Sequence, residues 1–151
     1  MNEAVRIVIN DIIKNHNGAG EGCELVAYFD KPGKVWTVGY GCTGPDIKPG
    51  TTWTQAQAES ALIDRVTGAY NLAIHASPIL KTASPSKQAA ITDLIYNMGL
   101  HGYVGHSLKP LVDAGQWHSA AVEIKKFDHA GGVVQGGLTK RRLIESNLLI
   151  A

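Results

Sequence analysis

Between residues 3 and 14, apolar side chains recur at the spacing of one helical face. Val5, Val8, Ile9, Ile12 and Ile13 form the stripe, and Asn2 stands where an N-cap belongs. NHNGAG at 15–20 ends that helix. The pattern then shortens to runs of β-branched and aromatic residues, Leu25 to Phe29 and Val35 to Tyr40, which predict a hairpin. Lys31-Pro32-Gly33-Lys34 between them has the order of a type II turn, with proline second and a glycine that accepts positive φ third. Side chains alternate across a strand, so Trp36, Val38 and Tyr40 are expected on one face and Thr37 on the other.

From residue 54 the helical period returns. Thr54-Gln55-Ala56-Gln57 matches a capping box that opens a helix to about His75, ended by Ser77-Pro78. Ser84-Pro85 reads as N-cap and first helical position, and the next helix runs through Ile91, Leu94 and Ile95 to Gly99. After a glycine-rich connector at 100–106, Ser107 is expected to cap a short helix ending at Gly115. A second short helix is expected from Ser119 to Phe127. Gly131-Gly132 and Gly136-Gly137 bracket an expected loop, and a last helix spans about Leu138 to Leu149. Strands set apart from helices argue an α+β fold with a cleft between two lobes. The small β lobe covers about 21–50, and 1–20 with 51–151 form the helical lobe.

Length and composition narrow this picture. At 151 residues the chain is expected to be one domain with a real core. A hydrophobic content of 44% fits a water-soluble protein, and a net charge of +1 gives no call for nucleic acid or an acidic membrane. No apolar run reaches the roughly 20 residues that span a bilayer. Asn10 and Asp11 interrupt the first apolar stretch, so no signal peptide is read there and a cytoplasmic start is expected. Cys23 and Cys42 are too few for a disulfide framework; whether they meet is not readable from sequence.

Candidate chemistry concentrates in residues 21–43. Glu21 precedes the first strand, Asp30 stands at the hairpin rim, and Thr37 lies six intervening residues further on. Glycosidic cleavage needs a proton for the leaving oxygen and a second carboxylate to activate water or attack the anomeric carbon. Glu21, followed by glycine and an apolar strand, suits the acid; Asp30, beside Lys31 at a turn, suits the ionised base. Spacing alone leaves open that Glu21 is a solvated helix-end residue and Asp30 an ordinary turn aspartate. Glu24 is the rival to Glu21, without the following glycine. His101 and His106 have the wrong spacing for two ligands on one helical face and read as loop residues. Trp36, Trp53 and Trp117 are assigned to core packing.

Three motifs add a resemblance. Glu21-Gly22, Leu25, Ala27-Tyr28 and Asp30, then a turn, then Trp36-Thr37 and Gly39-Tyr40-Gly41, form the first. Gln88-Ala89-Ala90 followed by Tyr96-Asn97-Met98-Gly99 is the second. Gly137-Leu138, Arg141-Arg142 and Glu145 make the third. In this order they resemble the phage-type lysozymes, endolysins of glycoside hydrolase family 24, over about residues 21–148. The resemblance implies hydrolysis of the β-1,4 bond between N-acetylmuramic acid and N-acetylglucosamine in peptidoglycan. Glu21 would be the general acid, Asp30 the carboxylate on the other face of the sugar, and Thr37 the hydroxyl that holds the attacking water.

Tyr96, Asn97 and Arg141 become substrate-contact candidates, with Arg141 also a possible neighbour of Asp30 or a structural clamp. Arg141 and Arg142 are expected to attract the anionic wall. The resemblance implies no metal or organic cofactor, while the net charge and the lack of a long apolar run argue against nucleic acid and stable membrane insertion. A monomer is expected, and with no export signal read, a separate membrane-permeabilising protein would release it from the host cytoplasm. The chain departs from the family in three places: an extra residue between Asp30 and Thr37, Cys42 where histidine is common, and the glycine-rich approach to Glu21. Cys42 is read as small buried filler. Two other classes stay open, a lytic transglycosylase on a related fold and a non-catalytic wall-binding module.

Overall fold

The structure, a computed structural model, describes residues 1–15, 22–31, 33–130 and 132–151. Helix α1 (Glu3–Ile7) starts under Asn2, whose side-chain oxygen accepts from the Val5 N–H at 2.8 Å. It continues without a break as a π-helix over Val8–Ile13, closed by Lys14 N–H donating to the Ile9 carbonyl. Every residue of the apolar stripe is buried. The hairpin is β1 (Glu24–Asp30) with β2 (Val35–Gly39), antiparallel, and β1 also meets Thr52 through an isolated bridge at Val26.

Helix α2 (Gln55–Ala76) opens on the capping box, both of its reciprocal bonds formed between Thr54 and Gln57. A 3-10 turn, Pro78–Thr82, leads to α3 (Pro85–Met98), capped by Ser84. Seven consecutive residues of α3, Ala89 through Ile95, are buried. A helix covered on all sides is central, and α1, α2 and α6 pack around it. The chain then makes a 3-10 turn (Leu100–Gly102), α4 (Leu108–Asp113), α5 (Trp117–Ile124), a short hairpin of β3 (His129–Ala130) and β4 (Val133–Val134), and α6 (Gly136–Ile150).

The apolar residues gather in three clusters. One lies among α2, α3, α4, α5 and α6, one joins α1 and the π-helix to the first half of α2, and a small one lies under the hairpin around Val38, Cys42 and Ile47. Trp36 and Trp53 pack on the hairpin cluster and Trp117 on the large one, as core packing requires.

Several sequence expectations are corrected. Tyr40 does not share a cluster with Trp36 and Val38: Gly39 takes φ 67° and turns the chain, so Tyr40 packs with α1 and α2. A Cβ at Gly39 would lie 3.1 Å from the Trp53 ring, so close packing as well as backbone conformation calls for glycine there. Ser107 does not cap α4; its hydroxyl donates to Glu123 at 2.6 Å. The loop expected near 131–137 contains the β3–β4 hairpin, and Gly136 and Gly137 already belong to α6.

Candidate active site

The hairpin register builds the first wall of the site. Tyr28 stands opposite Thr37, Phe29 opposite Trp36 and Asp30 opposite Val35. Alternation therefore sends Tyr28, Asp30 and Thr37 to the same face, and all three line an open cleft of about 940 Å³. The pairing is unbroken from 28 to 30, so the extra residue between Asp30 and Thr37 is absorbed in the turn.

That turn differs from the expected one. Pro32 lies outside the described residues, and the left-handed residue recorded in the turn is Lys34, at φ 52°. Gly33 instead donates its N–H to Asp30 Oδ2 at 3.1 Å. A Cβ at Gly33 would approach that oxygen to 2.6 Å, so the close contact needs glycine. The Thr37 side chain is buried, and its hydroxyl donates to the Val35 carbonyl at 3.3 Å. With its proton committed to the backbone, the Thr37 oxygen faces the cleft as an acceptor.

Helices α2 and α3 form the second wall, with Arg65, Gly68 and Leu72 from the first and Tyr96 and Asn97 from the second. Tyr96 donates its hydroxyl to the Tyr40 carbonyl at 3.4 Å, which ties α3 to the end of the hairpin. The Asn97 side-chain oxygen is buried without a hydrogen-bond partner among the described residues. A buried unsatisfied acceptor on a cleft wall is suited to an amide N–H from a ligand. Cys42 also borders the cleft, but it is buried against Val38 and Ile47, in keeping with small filler. Neither Cys23 nor Cys42 forms a disulfide among the described residues.

Glu21 falls outside the described residues. The chain on either side of 16–21 is anchored on α2 within a turn of helix. Lys14 pairs with Glu59 at 2.7 Å, and the Cys23 thiol donates to the side-chain oxygen Oε1 of Gln55 at 3.7 Å. Tyr40 donates its hydroxyl to Glu59 at 2.8 Å, and the Gln55 amide donates to both. Hydrogen bonds from Lys14 and then Tyr40 hold the Glu59 carboxyl below its usual range. Glu24, the rival acid, is exposed at the start of β1 and is not among the described residues that line the cleft.

Beneath the α3 wall lies a buried charge cluster. Arg141 donates two parallel hydrogen bonds to Asp93, Nε to Oδ2 at 2.8 Å and Nη2 to Oδ1 at 2.7 Å. Arg142 donates through Nη2 to Glu145 Oε1 at 2.6 Å, while its Nε approaches Oε2 at 2.6 Å without hydrogen-bond alignment. Burial raises the Asp93 carboxyl, but the charge and hydrogen bonds of Arg141 prevail and leave it lowered. Glu145 goes the other way: burial first, then the charge and hydrogen bond of Asp93, hold it well above the usual range despite Arg142. The two carboxyls of the cluster are thus pushed in opposite directions, Asp93 toward its ionised form and Glu145 toward its protonated one.

Arg141 is 4% exposed and absent from the described lining; its guanidinium sits 6.0 Å from the Tyr96 ring centroid, under the cleft. It clamps α6 to α3. Neither arginine presents its charge to solvent, which removes the expectation that this pair draws the protein to an anionic wall. Tyr28 and Arg65 are among the cleft residues that escaped the sequence reading. Tyr28 was accessible by counting two back from Asp30 along the strand. Arg65 carried no local signal at all.

A two-stranded hairpin that faces a helical body across an open cleft is the lysozyme-like α+β arrangement. An endolysin from Escherichia coli O157:H7 phage FAHEc1 shares this fold, with TM-score 0.78 and 23% identity over 99% of this chain and 92% of that one. The family model for phage lysozyme matches residues 18–145. A SAR-endolysin of Bacteriophage PS119 is 31% identical over 95% of this chain and 86% of its own length. An endolysin of Lactococcus phage c2 is 36% identical over 85% of this chain, which spans only 54% of that relative. This chain belongs to the phage lysozyme family, a class of cell-wall hydrolases.

Proposed function

We propose that the chain is a muramidase that hydrolyses the β-1,4 bond between N-acetylmuramic acid and N-acetylglucosamine in peptidoglycan. The observation that supports this most is the common face of Asp30, Thr37 and Tyr28 on the hairpin, turned into an open cleft of about 940 Å³. In this reading a water rests between Asp30 and Thr37. The Thr37 oxygen accepts one of its hydrogens, and Asp30 takes the proton released as the water oxygen attacks the anomeric carbon. Glu21 protonates the departing glycosidic oxygen. Tyr28 and Tyr96 offer ring faces to the sugars, and Asn97 accepts from an acetamido N–H.

The same proposal has the whole chain working as one lysozyme-like domain and a monomer. It has the protein held in the host cytoplasm until a separate membrane-permeabilising protein admits it to the wall. Its first apolar stretch is committed to the core, where residues 4, 5, 7, 8, 9, 12 and 13 are buried.

Digestion of purified peptidoglycan, followed by mass analysis of the soluble fragments, tests the reaction. Reducing N-acetylmuramic acid ends are expected. Anhydro ends would assign a lytic transglycosylase, reducing N-acetylglucosamine ends would move the cut to the other glycosidic bond, and intact glycan would remove the enzymatic reading.

A further inference from the structure

We propose that Arg65 is a binding residue for a carboxylate on the muramic-acid side arm of the substrate, and so sets a preference for anionic over amidated peptidoglycan. The inference rests on the muramidase reading and adds a specificity residue to it.

Arg65 projects from the middle of α2 and is the one cationic side chain among the described residues that line the cleft. Asp30 is the one acid among them, and the two form no ion pair. The charge of Arg65 is therefore not spent on the catalytic wall. Its guanidinium is nonetheless held in place: Nη1 donates to the Thr43 carbonyl at 2.7 Å. No other hydrogen bond of Arg65 is made among the described residues, so Nε and Nη2 remain to donate. A planar guanidinium anchored through one nitrogen and open at the others matches a carboxylate, which accepts two parallel bonds.

The surroundings leave room for such a partner. Gly68, nearly one helical turn on, lines the same wall, and a Cβ built there would meet no atom within 4 Å. Glycine inside a helix is destabilising, and no neighbour packs closely enough to require it here. At Gly44 a Cβ would lie 3.8 Å from Arg65 Nη2, so glycine keeps that side of the guanidinium free of a side chain.

The proposed substrate offers carboxylates in two places, the lactyl group of bare muramic acid and the stem peptide attached to it. Both project sideways from the glycan, as a strand lying between the hairpin and α2 would require. A residue that only pins the connection after the hairpin would slow every substrate alike. Recognition of a carboxylate makes the loss depend on that carboxylate.

The test compares wild type, Arg65→Met and Arg65→Lys on solubilised peptidoglycan with free stem-peptide carboxylates, on the same material after carbodiimide amidation, and on peptide-stripped strands. With free carboxylates, Arg65→Met should lose about 10-fold or more in kcat/KM, mostly as a rise in KM, the loss expected for a charge-assisted bidentate contact. Arg65→Lys should recover part of it. On amidated material, wild type and Arg65→Met should agree within about 2-fold. If the wild-type advantage persists on peptide-stripped strands, the lactyl carboxylate is the partner; if it vanishes there, the stem peptide is.

An equal loss on free and amidated substrate, or no loss on the free one, overturns the proposal. Failure of wild type to release reducing N-acetylmuramic acid ends from any substrate would instead overturn the muramidase reading. Calorimetric binding of free and amidated muropeptides to wild type and Arg65→Met would then decide Arg65 by itself.

Discussion

The hairpin and the α3–α6 contact hold charged groups in opposite ways. On the hairpin, Asp30 is partly exposed, and its recorded hydrogen bond is from a backbone N–H across a turn. Under the α3 wall, Asp93, Arg141, Arg142 and Glu145 are all buried and bonded in pairs. The first arrangement leaves a carboxylate open to the cleft. The second spends its charges internally and fastens the helix that carries Tyr96 and Asn97. A charged residue in a family motif can thus belong to either economy, and burial decides which.

Substitutions that remove a charge while keeping its shape sharpen this contrast. The largest effect is expected at the hairpin, on activity. Glu21→Gln should abolish glycan hydrolysis, and Asp30→Asn should lower kcat by about 10²-fold or more, with thermal unfolding close to wild type for Asp30→Asn. Glu24→Gln should keep most of the activity. A dead Glu24→Gln with an active Glu21→Gln would show that the motif is aligned on the wrong acid.

Next comes Asp93→Asn, where the effect should fall on stability. It leaves the Arg141 charge buried opposite a neutral amide, and loss of one partner of a buried pair costs about 3–5 kcal/mol. In a chain of this size that lowers Tm by roughly 6–20 °C. Calorimetry showing an unchanged Tm would mean that the cluster is not the clamp described above.

A smaller, pH-dependent effect separates the two carboxyls of the cluster. The folded Glu145 carboxyl is raised above its ordinary 4.5, so it keeps its proton while the unfolded chain releases one. Stability from this group is fully present below about 4.5 and declines as pH rises toward the folded value. Asp93 is lowered below 3.8, so its contribution is present above that value and falls as acid titrates the folded carboxylate. Glu145→Gln removes the first slope. Its Tm relative to wild type should climb as pH goes from 4 to 8; a flat difference would show that Glu145 is ionised in the fold.

The smallest effect returns to the hairpin. Lys34 holds φ 52°, where a side chain costs about 1 kcal/mol. Lys34→Gly should raise Tm by a degree or more and leave activity near wild type, since the turn lies beyond Asp30. A fall in Tm would mean that the lysine side chain has contacts worth more than the strain.

The sequence by itself determined the elements whose signals are local. The apolar stripe of α1, the capping box of α2, the Ser84-Pro85 start of α3 and the hairpin all depend on neighbours within a few positions. So does the common face of Asp30 and Tyr28, because strand alternation is a local rule. Tertiary structure decided the rest. Gly39 sent Tyr40 into a different cluster from Val38, through a close approach to Trp53 that sequence order does not contain. Lys140, Arg141 and Arg142 look alike in sequence, yet the last two are buried because Asp93 and Glu145 meet them inside the helical body. Arg65 entered the cleft because α2 packs across from the hairpin. Burial and long-range pairing are properties of the packed chain, and they separate a charge open to the cleft from one that serves the fold.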